Sequence, residues 1–287
     1  MKNRWLLNLI LIVIIASLGL VVVSKPGKEQ EAPKTALTLL KMDDIHRIQI
    51  EHLERESIIL EKQNQHWQLV KPISARANRF NVSNLLRLAE TKSEASFAVS
   101  NPKELVKYGF DKPQARIKLN ETELLFGNNH PLSGNRYVLF SNTAHLIPSH
   151  LVRMVDNLYT DFISGRLLED SRQLDRIKLP NFELLKKDGE WTLKSEDKSL
   201  LATADALNDF VDEWRHASAL SVDKFSGKPS LATIQLESAA TPSGKQALNL
   251  EVLSYAPEFI LYRVDEGLEY RFPEETGKRL LTPVPKQ

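Results

Sequence analysis

The sequence predicts an α+β protein, in which an N-terminal transmembrane helix precedes two tandem, structurally similar α+β repeats with mainly antiparallel sheets. Three observations carry this prediction. They are an uncharged apolar run over residues 5–24, short segments in which apolar and polar residues alternate, and the return of the same order of elements later in the chain. Alternation with period two is typical of half-buried strands, and tight turns between such strands favour antiparallel pairing.

The composition of the chain excludes several functional classes. Its 287 residues contain 38 Lys and Arg against 37 Asp and Glu, so the chain lacks the basic surplus typical of nucleic-acid-binding proteins. It has no cysteine, which excludes disulfides, thiolate metal sites, iron–sulfur clusters and cysteine nucleophiles. Because the charges are balanced, we expect no nucleic-acid partner.

Residues 1–24 form the predicted membrane anchor. The uncharged run over residues 5–24 would extend about 30 Å as a helix, which matches the hydrocarbon core of a bilayer. Lys2 and Arg4 precede the run, which favours a cytoplasmic N-terminus and places residues 25–287 in the periplasm or outside the cell. A cleaved signal peptide is the alternative, but β-branched residues at positions 21–23 disfavour cleavage. We expect a single-pass protein of the bacterial inner membrane, with a polar linker at residues 25–36.

An internal duplication is the strongest signal in the rest of the chain. The strand Ile45-His46-Arg47-Ile48-Gln49-Ile50 returns as Leu174-Asp175-Arg176-Ile177-Lys178-Leu179, with an outward arginine in each copy. In both copies a second strand follows, and a tight turn then precedes Trp67 or Trp191; Asp188-Gly189 suits a two-residue hairpin turn. A helix with one apolar face comes next, with Asn78 and Asp205 at an N-cap or first-turn position.

The parallel continues to the end of each copy. Lys112-Pro113 matches Lys228-Pro229, the strand at 137–140 matches that at 259–262, and Pro148 and Pro273 each end a strand and begin a closing helical segment. We predict the first repeat at residues 37–165 and the second at 166–287. The closing helix of the first repeat would carry Leu151, Val155, Leu158 and Phe162.

The order of these motifs resembles the bacterial domain-of-unknown-function 4340 family. The resemblance is carried by Ile45, Ile48, Ile50, Trp67, Pro72, Tyr108-Gly109-Phe110-Asp111-Lys112-Pro113, Gly127 and Asn135-Arg136-Tyr137-Val138. The second copy departs from it at Phe225-Ser226-Gly227 and at an insertion over residues 238–245. The resemblance implies an envelope protein with one N-terminal span. Some members resemble, or are encoded beside, auxiliary subunits of gliding-type ABC transport systems, and the family supplies no catalytic residues.

No constellation in the sequence predicts a catalytic, cofactor-binding or metal site. None of the seven histidines forms H-E-x-x-H; they are His46, His52, His66, His130, His145, His150 and His216. Two S-x-x-K strings, Ser195 with Lys198 and Ser221 with Lys224, lack the other motifs of penicillin-recognising enzymes. No glycine-rich phosphate loop occurs, so we expect no nucleotide and no other cofactor.

Paired carboxylates and aromatic residues remain as weaker candidates. The adjacent pairs are Asp43-Asp44, Glu169-Asp170 and Glu274-Glu275, and neighbours on a strand point to opposite faces, unlike the two carboxylates of glycosidases. We expect Trp67 and Trp191 to pack on the helix of their own repeat, and Trp214 to lie on the core face of a helix. Tyr108 and Tyr137 would either line a ligand groove or close a sheet.

These observations favour a non-catalytic binding or scaffolding subunit of a membrane complex, with other membrane or envelope proteins as partners. The family resemblance suggests an ABC-type transport system as that complex. One alternative is an envelope hydrolase or glycan-binding enzyme, which needs convergent carboxylates or histidines between the repeats. A second is a periplasmic small-molecule binding protein, which needs a deep apolar pocket at the repeat junction.

Overall fold

A computed structural model of the protein describes residues 2–24, 35–169, 172–198, 200–238 and 247–283. The N-terminal helix α1 spans Lys2–Ser24, and the side chains described on it are those of Trp5 and residues 9–19. Within the described part of the chain, no helix is both long and apolar enough to cross a membrane. The anchor at residues 5–24 thus stays a prediction, and residues 25–34 of the predicted linker lie outside the described residues.

The described residues form an α+β structure with two antiparallel sheets, as the sequence predicts. The first sheet has nine strands: β1 (Arg47–His52), β2 (Arg55–Gln63), β3 (His66–Lys71), β4 (Ala75–Arg76), β5 (Ala95–Ala98), β6 (Ala115–Leu119), β7 (Thr122–Asn129), β8 (Arg136–Phe140) and β9 (Thr143–Ile147). Helices α2 (Arg79–Leu86) and α3 (Pro102–Tyr108) flank β5, and α4 (Ser149–Val152) follows β9. The spatial order is β4-β3-β2-β1-β6-β7-β8-β9-β5.

The second sheet repeats this plan. Its strands are β10 (Leu174–Lys178), β11 (Phe182–Lys187), β12 (Glu190–Ser195), β13 (Ser221–Lys224), β14 (Ala232–Ser238), β15 (Ala247–Ser254), β16 (Glu258–Arg263) and β17 (Leu268–Pro273), with helices α5 (Ala204–His216) and α6 (Glu274–Leu281). The spatial order is β12-β11-β10-β14-β15-β16-β17-β13, which reproduces the order of the first sheet without β4.

Turn and cap residues explain where these elements begin and end. Asp188 and Gly189 have φ of 53° and 92°, the positive values that a two-residue hairpin turn needs. The side chain of Asn78 accepts hydrogen bonds from the backbone N–H groups of Phe80 and Asn81, so it caps α2. In α5 the cap is Thr203, and Asp205 lies in the first turn, where a negative charge is favourable.

Two details of the predicted duplication are wrong. The closing helix of the first repeat is not continuous, because α4 ends at Val152 and two 3-10 turns, Arg153–Asp156 and Tyr159–Phe162, follow it. The match of Tyr137 with Phe259 is offset by one residue: Tyr137 packs on the outer face of its sheet, whereas Phe259 lies in the core. Since successive strand residues point to opposite faces, an offset of one exchanges the faces.

One contiguous cluster of buried apolar residues runs through both halves of the chain. It includes Ile48 and Ile50 of β1 as well as Ile177 of β10, and Trp214 of α5 is 0% exposed. Trp67 and Trp191 are half-buried against this cluster. Because the two halves share a core, we expect them to unfold together.

Backbone hydrogen bonds connect the segment at residues 163–167 to both halves of the chain. The N–H of Ser164 donates to the Arg76 carbonyl of β4 at 2.7 Å, and the N–H of Leu167 donates to the Ala217 carbonyl at 2.9 Å. Residues 163–167 thus lie between an edge of the first sheet and the segment that leads into β13. The junction between the two halves lies at this connecting segment.

Candidate functional site

A cluster of paired arginines and carboxylates fills the junction between the two halves. We name it the junction cluster; it consists of Arg76, Glu169, Arg172, Arg263, Asp265, Glu266 and Tyr270. Arg76 comes from β4 of the first sheet, and the other members come from the second half of the chain. The cluster therefore connects residues that are distant in sequence.

Arg263 is the most buried charge of the junction cluster, with a side chain that is 2% exposed. It lies at the end of β16, on the core face. Its Nη2 donates to Oε1 of Glu169 at 2.7 Å, and its Nη1 donates to the Leu167 carbonyl at 2.7 Å. Its Nε donates to Oδ1 of Asp265 at 2.9 Å. These bonds satisfy the guanidinium in a place that water barely reaches.

The side chain of Arg76 links the first sheet to the second half of the chain. Its Nε donates to Oε1 of Glu266 at 2.6 Å, and its Nη2 donates to the Tyr270 hydroxyl at 3.0 Å. The same Nη2 donates to the Arg166 carbonyl at 2.7 Å, while the Tyr270 hydroxyl donates to the other oxygen of Glu266. Strand β4 of the first sheet is thus hydrogen-bonded to β17 and to the connecting segment at residues 163–167.

The charges of the junction cluster neutralise one another. Burial opposes ionisation of Glu169, but Arg263 and Arg76 outweigh it and lower the pKa of this carboxyl to about 2. Burial raises the pKa of Tyr270, and the nearby Glu266 raises it further. Glu169 is therefore ionised and Tyr270 protonated at neutral pH. Neither group is poised near neutral pH for proton transfer.

A second constellation, the outer aromatic cluster, covers the outer face of the first sheet. It consists of Phe97, Tyr108, Phe110, His130 and Tyr137. The rings of Tyr108 and Tyr137 are 4.7 Å apart between centroids, and those of Phe97 and Tyr108 are 5.0 Å apart. Burial and the neighbouring Tyr108 raise the pKa of Tyr137. The two tyrosines that the sequence singled out therefore pack against each other and close this face.

Two glycines allow the outer aromatic cluster to form. Gly109 ends α3 with φ of 77°, a left-handed conformation that side chains disfavour. A Cβ at Gly127 would lie 2.2 Å from the Tyr108 carbonyl oxygen, so only glycine lets the end of α3 approach β7 so closely. One surface depression opens beside α3 and is lined in part by Val99, Pro102 and Leu105. Another lies over β7 and β8 and is lined in part by Glu123 and Leu125.

A family model for a domain of unknown function, DUF4340, matches residues 67–251 of the chain. The chain belongs to the DUF4340 family. The match begins in β3 and ends in β15, so it includes Arg76, Glu169, Arg172 and the outer aromatic cluster. The family resemblance drawn from the sequence is thereby confirmed. Comparisons with curated proteins and with solved structures find no match.

The histidines of this DUF4340 protein do not assemble into a ligand set. In the part of the chain that the structure describes, no three potential metal-ligating side chains form a group. His145 is 3% exposed on β9, and burial lowers its pKa. His130 belongs to the outer aromatic cluster, where its Nδ1 accepts hydrogen bonds from the backbone N–H groups of Leu132 and Ser133.

The serines and lysines of the two S-x-x-K strings lie in ordinary turn and strand positions. Oγ of Ser195 donates to the Asn181 carbonyl at 3.3 Å and accepts from the Asp197 N–H at 3.1 Å, an arrangement typical of a turn. Ser221 and Lys224 are the two ends of β13, and Nζ of Lys224 lies 5.5 Å from the centroid of the Tyr159 ring.

The three adjacent carboxylate pairs lie in different parts of the structure. Asp43 and Asp44 lie in a 3-10 turn before β1, and Glu274 and Glu275 begin α6, where both pair with Lys278. Glu169 belongs to the junction cluster, whereas Asp170 lies outside the described residues.

Sequence reasoning missed Arg76, Arg263, Glu266 and Tyr270. One signal was available for Arg263: it follows Phe259 and Leu261 at alternate positions, so it occupies a core position of an apolar strand. A charge at such a position needs a buried partner.

Proposed function

We propose that this DUF4340 protein is a non-catalytic binding or scaffolding subunit of a membrane complex. In this proposal, residues 5–24 anchor it in the bacterial inner membrane as a single span, and residues 25–287 lie in the periplasm or outside the cell. Its partners are other membrane or envelope proteins. An anchored module reaches them at a high effective concentration, because it is confined to the layer beside the membrane.

The junction cluster is the observation that carries the non-catalytic part of the proposal. An enzyme of the glycosidase type needs one carboxyl that holds a proton and one that is free to react. The junction does bring three carboxylates together, but Glu169, Asp265 and Glu266 are each engaged by arginines. The three arginines of the cluster neutralise its three carboxylates. This arrangement favours a structural role, in which the cluster holds the two halves together, over a catalytic one.

The same cluster disfavours a small-molecule binding protein with its site at the junction. Such a site would be a deep pocket with mainly apolar walls. The junction instead holds charged side chains and the buried hydroxyl of Tyr270, whose hydrogen bonds are made within the cluster.

The choice of an ABC-type transport system as the complex rests on the family. Some members resemble auxiliary subunits of gliding-type ABC transport systems, and a rigid module outside the cytoplasm suits the role of holding such subunits together. Any transport energy would come from another subunit, since the sequence has no phosphate-binding loop.

Crosslinking in intact cells tests the scaffolding function. The full chain is crosslinked, purified in detergent and analysed by mass spectrometry, beside a matched chain in which a cleavable signal peptide replaces residues 1–24. We expect membrane proteins to be recovered with the anchored chain and depleted with the released chain. Recovery of no membrane protein would contradict the proposal.

Two further measurements test the anchor and the enzyme alternative. Protease added to spheroplasts should digest residues 25–287, and protection would contradict their placement outside the cytoplasm. Envelope glycans incubated with the purified full chain should release no product. Product release by the wild type would contradict the non-catalytic proposal.

A further inference from the structure

Strand β12 lies at an edge of the second sheet, and the equivalent edge of the first sheet is covered. In the first sheet, the Trp67 carbonyl of β3 accepts a hydrogen bond from the Ala77 N–H at 3.1 Å, and Leu69 pairs with Ala75 of β4. The equivalent residues of β12 are Trp191 and Leu193. Within the described residues, no strand pairs with β12 on the side away from β11.

The hairpin turn decides which backbone groups of β12 point outward. Lys187 and Glu190 flank the two-residue turn and pair across it, so these two residues exchange the first hydrogen bonds of the β11–β12 ladder. Alternation along an antiparallel ladder then turns the N–H and C=O groups of Trp191, Leu193 and Ser195 away from β11. The outward carbonyl of Trp67, at the equivalent position of β3, follows the same rule.

The side chains of β12 form a self-complementary series, Glu190-Trp191-Thr192-Leu193-Lys194. When two such strands run antiparallel about a twofold axis at Thr192, Glu190 of each copy lies opposite Lys194 of the other. The two exposed threonines face each other, and each half-buried Trp191 lies beside a half-buried Leu193. Opposite charges, paired threonines and aromatic–apolar neighbours are the cross-strand pairs that stabilise sheets.

We propose that β12 pairs with β12 of a second copy of this chain in this register, so that one continuous sheet passes through both copies. Trp191 and Leu193 then exchange backbone hydrogen bonds across the twofold axis. An axis at Leu193 would also match the outward groups, but it places Glu190 opposite Glu196 and is disfavoured by repulsion. Pairing also covers an edge that would otherwise be open to unspecific strand addition.

Disulfide trapping tests the register, because the chain has no cysteine of its own. Facing residues of a non-hydrogen-bonded pair have Cα atoms about 4.5 Å apart, which a disulfide can span. Full-length Thr192→Cys in membranes should therefore form a covalent dimer under mild oxidation. The matched control is Glu190→Cys, on the same exposed side of β12, whose two copies would lie about 14 Å apart. Cells that express Glu190→Cys and Lys194→Cys chains together should yield the mixed dimer.

Charge exchange tests the same interface without oxidation. Glu190→Lys or Lys194→Glu alone should weaken the dimer about tenfold, because two opposite-charge pairs become like-charge pairs. The double variant should restore it. Dimer fraction is measured by analytical ultracentrifugation of the full chain in detergent, and circular dichroism verifies that each variant folds.

Three results of these two experiments would overturn the assignment. They are equal crosslinking of Thr192→Cys and Glu190→Cys, a chain that stays monomeric while folded, and a dimer that neither charge reversal weakens. A photoreactive residue at position 192 that labels a different protein in cells, and not a second copy, would also overturn it.

Discussion

The two halves of this DUF4340 protein share one strand order but differ at the edge beside their Trp hairpins. In the first half, β4 covers β3 and sends Arg76 into the junction cluster. In the second half, the described residues leave the equivalent edge of β12 without a covering strand. The same hairpin thus closes a contact inside the molecule in one copy and offers backbone groups outward in the other. A duplicated unit can serve two purposes when a short segment beside it changes.

The halves also differ in how their charges are held. Arg47 and Arg176, the outward arginines of β1 and β10, pair with glutamates on partly exposed sheet faces. Arg263 and Arg76 pair in the interior between the halves. Because an uncompensated charge costs far more inside a protein than at its surface, these two groups should respond very differently to substitution.

The largest expected effect is the loss of the buried arginine. Arg263→Met removes the buried partner of Glu169, while Glu266 keeps its closer partner Arg76, and removal of one member of a buried ion pair costs about 3–5 kcal/mol. Urea unfolding followed by circular dichroism should show this decrease in the free energy of unfolding. The matched control is Arg47→Met, and equal losses in the two variants would contradict a structural role for the junction cluster.

A smaller loss of stability is expected for a substitution at Gly127, where α3 meets β7 of the first sheet. Gly127→Ala places a Cβ 2.2 Å from the Tyr108 carbonyl oxygen, and the backbone must shift to relieve the clash. Overpacking of this kind costs about 1–3 kcal/mol in the free energy of unfolding. Thermal unfolding measures the loss, and weakened tyrosine signals in near-UV circular dichroism should accompany it. Unchanged stability would show that the end of α3 does not approach β7 closely.

Acid should lower the free energy of unfolding through His145 of the first half and through Glu169 of the junction cluster, in different pH windows. Burial lowers the pKa of His145 in the first half, so the unfolded chain binds this proton more readily. Stability due to neutral His145 is therefore complete above its ordinary pKa of 6.5 and declines as the pH falls below it. Urea unfolding between pH 7.5 and 5 should show a shallower decline in His145→Gln than in the wild type. An unchanged slope would contradict this role.

The junction responds at lower pH. The pKa of Glu169 is lowered from 4.5 to about 2, so its ion pairs contribute fully above its unfolded value and are lost as the pH falls through that interval. We expect Glu169→Gln to reduce the difference in unfolding free energy between pH 5 and pH 2.5. The control is Glu183→Gln, whose carboxylate pairs with Arg176 on a face of the second sheet away from the junction. The same reduction in both variants would contradict the assignment to the junction.

The smallest effect is expected for the outward arginines. Arg47→Met and Arg176→Met should each cost less than about 1 kcal/mol, because ion pairs on partly exposed sheet faces are screened by water and salt. Their unfolding free energies should move closer to that of the wild type as salt increases. A loss as large as that of Arg263→Met would remove the contrast between surface and junction.

Local sequence signals predicted much of the fold correctly. The alternation around Ile48 and Ile177, the Asp188-Gly189 turn, the Asn78 cap and the core face with Trp214 all depend on residues close in sequence. The junction cluster escaped prediction because Arg76 and Glu266 are 190 positions apart. No local pattern indicates that two such residues meet.

The sequence by itself determined the α+β class, the family, the strand-turn-helix order in both halves and the absence of cysteine chemistry. The tertiary structure alone decided which face of β8 is buried, which charges neutralise one another at the junction, and which hairpin has no covering strand among the described residues. The physical reason is that periodicity and turn chemistry act over a few residues. Pairing, burial and edge exposure depend on where distant parts of the backbone come together.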